Sequence, residues 1–72
     1  MGGTMVVNGV HAAYSMVKAR DGKRVLAYVR DATSGLWELV GTPGAAFPSD
    51  AEARAAIRGQ IAERITSALR QV

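Results

Sequence analysis

The first 40 residues are rich in β-branched and aromatic residues, which form short apolar segments separated by turn signals. Short runs rich in Val, Leu, Tyr and Met end at turn dipeptides such as Asn8-Gly9 and Asp21-Gly22. Because successive side chains of a strand point to opposite faces, this pattern predicts antiparallel β-strands joined by tight turns. Asn-Gly favours positive φ at both central positions, which suits a type I′ hairpin. Whether residues 5–10 then join the main sheet is left open.

Three further strands are predicted, over residues 10–19, 24–30 and 36–40. A two-residue turn at Asp21-Gly22 would set Lys18 opposite Val25. If Arg30 then opposes Leu36, the apolar side chains of three strands share one face, although a slip of one residue would exchange the faces. This face is the predicted core, and it consists of Tyr14, Met16, Val25, Ala27, Val29, Trp37 and Leu39.

The opposite face of this sheet is chemically mixed. With one helix in the chain, nothing covers it, and three interpretations stay open: a solvated sheet face, a nucleic-acid contact, or burial against a protein or a second copy. Its predicted residues are Ser15, Val17, Arg24, Leu26, Tyr28, Arg30, Leu36, Glu38 and Val40.

The period changes after a Gly- and Pro-rich loop at residues 41–48. Ser49-Asp50-Ala51-Glu52 matches a capping box, which predicts a helix from about Asp50 to about Gln71. Such a helix spans about 33 Å and a seven-residue strand about 23 Å, so the last helical turns are expected to overhang the sheet. An i, i+4 row predicts the buried ridge, which is Ala53, Ile57, Ile61, Ile65 and Leu69.

Together these elements predict an α+β fold, with a three- to four-stranded antiparallel meander packed on one long C-terminal helix. The chain has 72 residues and is expected to form a single domain. Within it, residues 1–4 are interpreted as a leader that is disordered or foreign to the domain. Residues 5–40 form the sheet, 41–48 the loop and 49–71 the helix. A domain this small, without cysteine, also makes a homodimer an alternative.

The sequence shows few of the residues or motifs that catalysis requires. The chain has no cysteine and one histidine, His11, and none of its serines lies in a Gly-x-Ser-x-Gly elbow. We therefore expect no enzyme, no catalytic residue, no cofactor and no metal site. No signal peptide is recognisable and no apolar run approaches the roughly 20 residues of a membrane span, so the cytoplasm is the expected location.

Basic residues gather around the second predicted turn. The net charge is +3, and four cations surround Asp21 within residues 18–24. Such a turn suits contact with a phosphate backbone, while the alternative is a solvated turn that keeps the protein soluble. The candidate nucleic-acid-binding residues are Lys18, Arg20, Lys23, Arg24, Tyr28 and Arg30. The candidate residues of a protein interface are Leu26, Leu36, Leu69 and Val72.

Three short motifs carry a resemblance: Asp21-Gly22-Lys23 before a strand, Val40-Gly41-Thr42 after one, and Phe47 to Ala53 at the helix start. The order of elements with these motifs resembles the three-stranded-sheet-plus-helix DNA-binding domains, namely the arm-binding domains of tyrosine integrases and the ethylene-response-factor domains. The resemblance implies that the exposed sheet face enters the major groove. Its implied groove residues are Arg24, Tyr28 and Arg30, with Lys18 and Lys23 on phosphates.

This chain departs from that pattern at Arg24, where the family usually has Trp, and in a first strand that is not rich in arginine. The sequence thus leads to one hypothesis and one alternative. The hypothesis is a small non-catalytic nucleic-acid-binding module that uses the exposed sheet face and the basic hairpin. The alternative is a protein-interaction or inhibitor module, of the kind that accompanies phages and mobile elements, acting alone or as a homodimer.

Overall fold

A computed structural model of the protein describes residues 2–41 and 46–70. The strands form one antiparallel sheet in the order β1-β2-β3-β4, and one helix packs on it. The predicted α+β meander with a C-terminal helix is therefore confirmed. The elements are β1 (Gly2–Val7), β2 (Val10–Lys18), β3 (Val25–Arg30), β4 (Trp37–Leu39) and α1 (Asp50–Arg70).

The first hairpin has the turn that its sequence favours. Asn8 has a φ of 50° and Gly9 a φ of 80°, as a type I′ turn requires. The β1 strand joins the main sheet and starts at Gly2, so Gly2–Thr4 pair with β2 instead of forming a separate leader. Glycine permits this close pairing, because a Cβ on Gly3 would lie 3.3 Å from the Tyr14 hydroxyl oxygen.

The predicted register of β2 and β3 is confirmed. Lys18 faces Val25, and the facing pairs continue along both strands to Tyr14 and Val29. The turn is longer than the predicted two residues, because the amide of Ala19 donates to the carbonyl of Arg24 at 2.8 Å and closes a loop over residues 20–23. Lengthening a turn by one residue on each side leaves the register unchanged, which is why the facing pairs were still correct.

The predicted register of β4 is wrong by one residue. Arg30 faces Trp37 and not Leu36. The cause is the loop, which the amide of Asp31 closes by donating to the carbonyl of Leu36 at 2.8 Å. Gly35 completes it with a φ of 74°, a conformation that glycine adopts without strain.

The Asp31 carboxylate orders the start of this loop. It accepts hydrogen bonds from the amides of Thr33 at 2.7 Å and Ser34 at 3.0 Å. These bonds, that of Ser34 first, hold the pKa of Asp31 below its usual value. The same bonds hold the ionised carboxylate of Asp31 in place at the start of the loop.

A shift of one residue exchanges the two faces of β4. Trp37, expected in the core, is 50% exposed, and Leu39 is only half-buried. Glu38 and Val40 were expected on the uncovered face and instead lie on the helix side. There Glu38 pairs with Arg64 of α1 and Val40 is buried. The buried core consists of Met5, Val7, Tyr14, Met16, Val25, Ala27, Val29, Val40, Ala53, Ile57 and Ile61.

The α1 helix begins at its predicted cap. The Ser49 hydroxyl oxygen accepts a hydrogen bond from the Glu52 amide at 3.3 Å, and the hydroxyl group lies 3.5 Å from the Glu52 carboxylate. The predicted ridge is buried at Ile57, half-buried at Ile65 and exposed at Leu69, where the side chain is 71% exposed. The last turns of α1 thus extend past the apolar surface of the sheet.

The loop before α1 is anchored at Phe47. Its amide and carbonyl exchange hydrogen bonds with Val25 at 2.7 and 2.8 Å, so Phe47 pairs with β3 beyond the end of β4. The Phe47 side chain packs against the core. Thr42 of the second family-like motif, together with Gln71 and Val72, lies outside the described residues.

Candidate nucleic-acid interface

The sheet has one covered and one open face. Within residues 2–41 and 46–70, α1 packs on one face and no element packs on the other. Alternation along each strand assigns the residues of this open face. They are Gly2, Thr4 and Val6 of β1, His11, Ala13, Ser15 and Val17 of β2, Leu26, Tyr28 and Arg30 of β3, and Trp37 and Leu39 of β4.

Two aromatic side chains lie on the open face, one on β3 and one on the edge strand β4. Tyr28 of β3 and Trp37 of β4 are diagonal neighbours, because Tyr28 faces Leu39 and Trp37 faces Arg30. Diagonal neighbours on adjacent strands are about 7–8 Å apart, within reach of aromatic rings. With Ser15 and Val17 they line a shallow depression of about 270 Å³, which we call the aromatic patch.

Arg30 borders the aromatic patch. A hydrogen bond from the Asp31 amide joins Asp31 to Leu36 on one side of the Arg30–Trp37 pair, so that pair is a non-hydrogen-bonded one with closely spaced side chains. The Arg30 Nε donates to the carbonyl of Gly35 at 3.1 Å. This bond fixes the exposed guanidinium group against the loop that precedes Trp37.

Asp21 organises the basic hairpin, which we define as residues 18–24. Its carboxylate accepts hydrogen bonds from the amides of Lys23 at 2.9 Å and Arg24 at 3.0 Å, and from the Nε of Arg24 at 2.8 Å. The bond from the Arg24 amide, followed by the Lys23 amide and the Arg24 guanidinium, lowers the pKa of Asp21 to about 2. The acidic residue thus shapes the turn that presents the surrounding cations.

The cations of the basic hairpin lie at the opposite end of β3 from Arg30. Lys18, Arg20, Lys23 and Arg24 are all exposed. Six residues of strand separate Arg24 from Arg30, which corresponds to about 20 Å. Tyr28 lies between them on the same face, so positive charge flanks the aromatic patch at both ends.

The structure thus groups some predicted site residues and separates others. Tyr28 and Arg30 lie together on β3, and the four cations of the basic hairpin form a second group at the turn between β2 and β3. Within that group Lys18 faces the buried Val25 and so has the strand parity of the helix side. The proposed interface residues do not form one surface. Leu26 is half-buried on the open face, while Leu36 precedes β4 with the opposite strand parity and is 66% exposed.

Trp37 is the site residue that the sequence did not identify. It was assigned to the core because it is large and apolar. The signal that could have placed it is the Asp31 to Gly35 segment, since an Asp that caps its own loop and a Gly that ends it predict a four-residue loop. That loop length turns Trp37 outward.

A second concave surface lies between the overhanging end of α1 and the first hairpin. This groove has a volume of about 760 Å³ and is mainly apolar. Pairing of β2 with β3 starts at Tyr14, so the beginning of β2 borders the groove without a strand on that side among the described residues. Residues that line it include Val10, His11, Ala12, Ile61, Ile65 and Leu69.

Comparisons with known proteins identified no relative of this chain. No protein-family model matches the chain, and no curated protein or solved structure is significantly similar to it. The resemblance to the sheet-plus-helix DNA-binding domains therefore stays a prediction. In the described part of the chain, no helix has the length and apolarity to cross a membrane, and no three acidic, His or Cys side chains cluster as metal ligands would.

Proposed function

We propose that this protein is a small non-catalytic module that binds nucleic acid through the open face of its sheet and the basic hairpin. One observation carries the proposal. An aromatic patch of the half-buried Tyr28 and the exposed Trp37 lies on an uncovered face between Arg30 and a cationic turn. The proposed place of action is the cytoplasm.

The charged groups suit the phosphate backbone. Lys18, Arg20 and Lys23 are exposed on one turn, and their contacts with phosphates would release counterions from the nucleic acid. Arg24 is tied to Asp21 through its Nε, which holds its guanidinium group at the turn. Binding is therefore expected to weaken steeply as salt rises.

The aromatic patch supplies contacts that salt does not screen. Nucleobases present flat faces to aromatic rings, and arginine presents two parallel donors to base edges. Arg30 and Trp37 are adjacent, so both kinds of contact are available at one point. Together with the basic hairpin, Arg30 and Trp37 favour nucleic-acid binding over the alternative of a solvated turn that only keeps the protein soluble.

The proposal is tested by an NMR titration of the labelled protein with short mixed-sequence oligonucleotides, single- and double-stranded, at two salt concentrations. Amide shifts confined to residues 15–40 that diminish with salt are expected. The double variant Lys18→Ala/Lys23→Ala should weaken binding several-fold and lower the salt dependence by about two phosphate contacts.

Arg58→Ala is the matched control, because Arg58 is exposed on α1. It removes a cation without touching the open face. An unchanged spectrum with both kinds of oligonucleotide would overturn the proposal. So would equal losses from the control and from the hairpin variant.

The second candidate function is a protein-interaction or inhibitor module that acts alone or as a homodimer. It is favoured by the apolar groove and by Leu69, which is 71% exposed at its edge. Sedimentation of the wild type and Leu69→Glu tests the homodimer. A concentration-dependent mass that the substitution abolishes would support it, and a monomer at all concentrations would exclude it.

A further inference from the structure

We infer that the nucleic acid is single-stranded, with one base stacked on Tyr28 and a neighbouring base on Trp37. This inference rests on the proposed function and narrows its ligand. It starts from the placement of Trp37 on the open face, diagonal to Tyr28.

Flat aromatic surfaces favour a strand whose bases are unpaired. In a duplex the bases stack on one another and show only their edges in the grooves. In a single strand the bases can turn out and stack on Tyr or Trp rings. Trp37, half exposed beside Tyr28, offers such a ring surface to an incoming base.

The spacing of the patch suits two consecutive bases. Diagonal neighbours on adjacent strands are about 7–8 Å apart, so each ring has room for its own base. Val17 and Leu39, on the same face, add apolar surface beside the rings. The depression is shallow, which lets extended strands of differing sequence settle on it.

The cations lie where the backbone of such a strand would pass. Arg30 faces Trp37 across the β3–β4 pair. At the other end, Arg24 of the basic hairpin precedes Tyr28 by four positions, which corresponds to about 13 Å. A single strand laid along β3 would have phosphates near both groups. This arrangement gives positive charge before and after the two stacked bases.

The shape of the face disfavours a duplex. The major groove is about 12 Å wide and admits a helix or a two-stranded ribbon. The backbones of four strands alone span about 14 Å at ordinary strand spacing, before side chains are counted. The open face is therefore too broad to enter the groove as a whole, whereas a single strand can lie flat on it.

The test compares a ten-nucleotide single strand with a hairpin duplex of the same sequence. Trp37 is the only tryptophan of the chain, so its intrinsic fluorescence reports stacking directly. We expect the single strand to quench Trp37 and to bind at least about tenfold more tightly than the duplex, as judged by anisotropy of labelled oligonucleotides.

Variants separate stacking from charge. Trp37→Leu and Tyr28→Leu should each weaken single-strand binding about tenfold, and Trp37→Phe should restore most of it. Leu36→Ala is the matched control, since Leu36 is exposed next to Trp37 in the chain but has the opposite strand parity. Circular dichroism of every variant confirms that the fold is retained.

The outcomes are distinct for the two proposals. A duplex that binds as well as or better than the single strand overturns this inference and leaves the proposed function standing. Single-strand binding without Trp37 quenching, or without loss in Trp37→Leu, also overturns it. Binding of neither oligonucleotide overturns both.

Discussion

The two faces of β3 differ in what they contribute to the molecule, although they share one backbone. On the helix side, Val25, Ala27 and Val29 are buried against α1. On the other side, Leu26 and Tyr28 are half-buried and Arg30 is exposed. The covered face holds the apolar surface that stabilises a small domain, and the open face holds the charged and aromatic groups.

This difference implies that substitutions can alter stability and the proposed binding separately. Every side chain of the buried core lies on the helix side of the sheet or on α1 itself. The proposed site lies wholly on the open face and in the basic hairpin. Substitutions on one face should therefore leave the property of the other almost unchanged, since distant sites act nearly additively.

Among substitutions on the covered face, Ile57→Ala is expected to lower the free energy of unfolding most. Ile57 is fully buried at the centre of the helix–sheet contact, so its truncation should lower the free energy of unfolding by about 3 kcal/mol. Leu69→Ala, on the same ridge but largely exposed, should lower it by less than about 1 kcal/mol. Urea unfolding followed by circular dichroism measures both, and equal losses would contradict the burial difference.

A smaller change in unfolding free energy is expected in the loop between β3 and β4, whose length sets the face on which Trp37 lies. Gly35 has positive φ, so Gly35→Ala should cost about 1 kcal/mol of unfolding free energy. Gly59→Ala is the matched control in α1, where a Cβ would meet open space and should stabilise by up to about 1 kcal/mol. Thermal unfolding gives both signs, and a stabilising Gly35→Ala would refute the role of this loop.

The smallest expected effect is the loss of folding stability at low pH. The pKa of Asp21 is lowered to about 2 from 3.8, so its ionised form stabilises the folded state above pH 4. That contribution is lost as the pH falls from about 4 to about 2, and Asp31, lowered in the same direction, adds to the loss.

Asp21→Asn isolates this carboxylate. The amide oxygen can still accept from the amides of Lys23 and Arg24, but the charge is gone. Urea midpoints measured from pH 6 to pH 2 should fall less for the variant than for the wild type. An identical decline would show that the native turn does not depend on the ionised group.

Local chemistry made much of the fold predictable. Asn8-Gly9 specified its turn, Ser49 specified the helix start, and a turn centred on Asp21-Gly22 specified the β2–β3 register. The open face could be predicted only in part. Its β3 residues follow from alternation, but its β4 residues depend on the length of one loop, and a change of one residue there reverses every side chain.

The start of β1 was missed for a different reason. Two consecutive glycines have low intrinsic strand preference, so nothing local predicts extended structure at Gly2 and Gly3. Their pairing depends on the close approach to Tyr14, a residue of the neighbouring strand. Tertiary contact therefore overrides local preference at this edge of the sheet.

Because α1 is buried only along its first part, the two parts of this continuous helix should open locally at very different rates. Its first three turns are fastened by Ala53, Ile57 and Ile61, whereas beyond Ile65 the side chains are exposed. Amide hydrogens of the first segment should exchange with deuterium only when the whole domain opens. Those of the last two turns should exchange through local fraying, orders of magnitude faster.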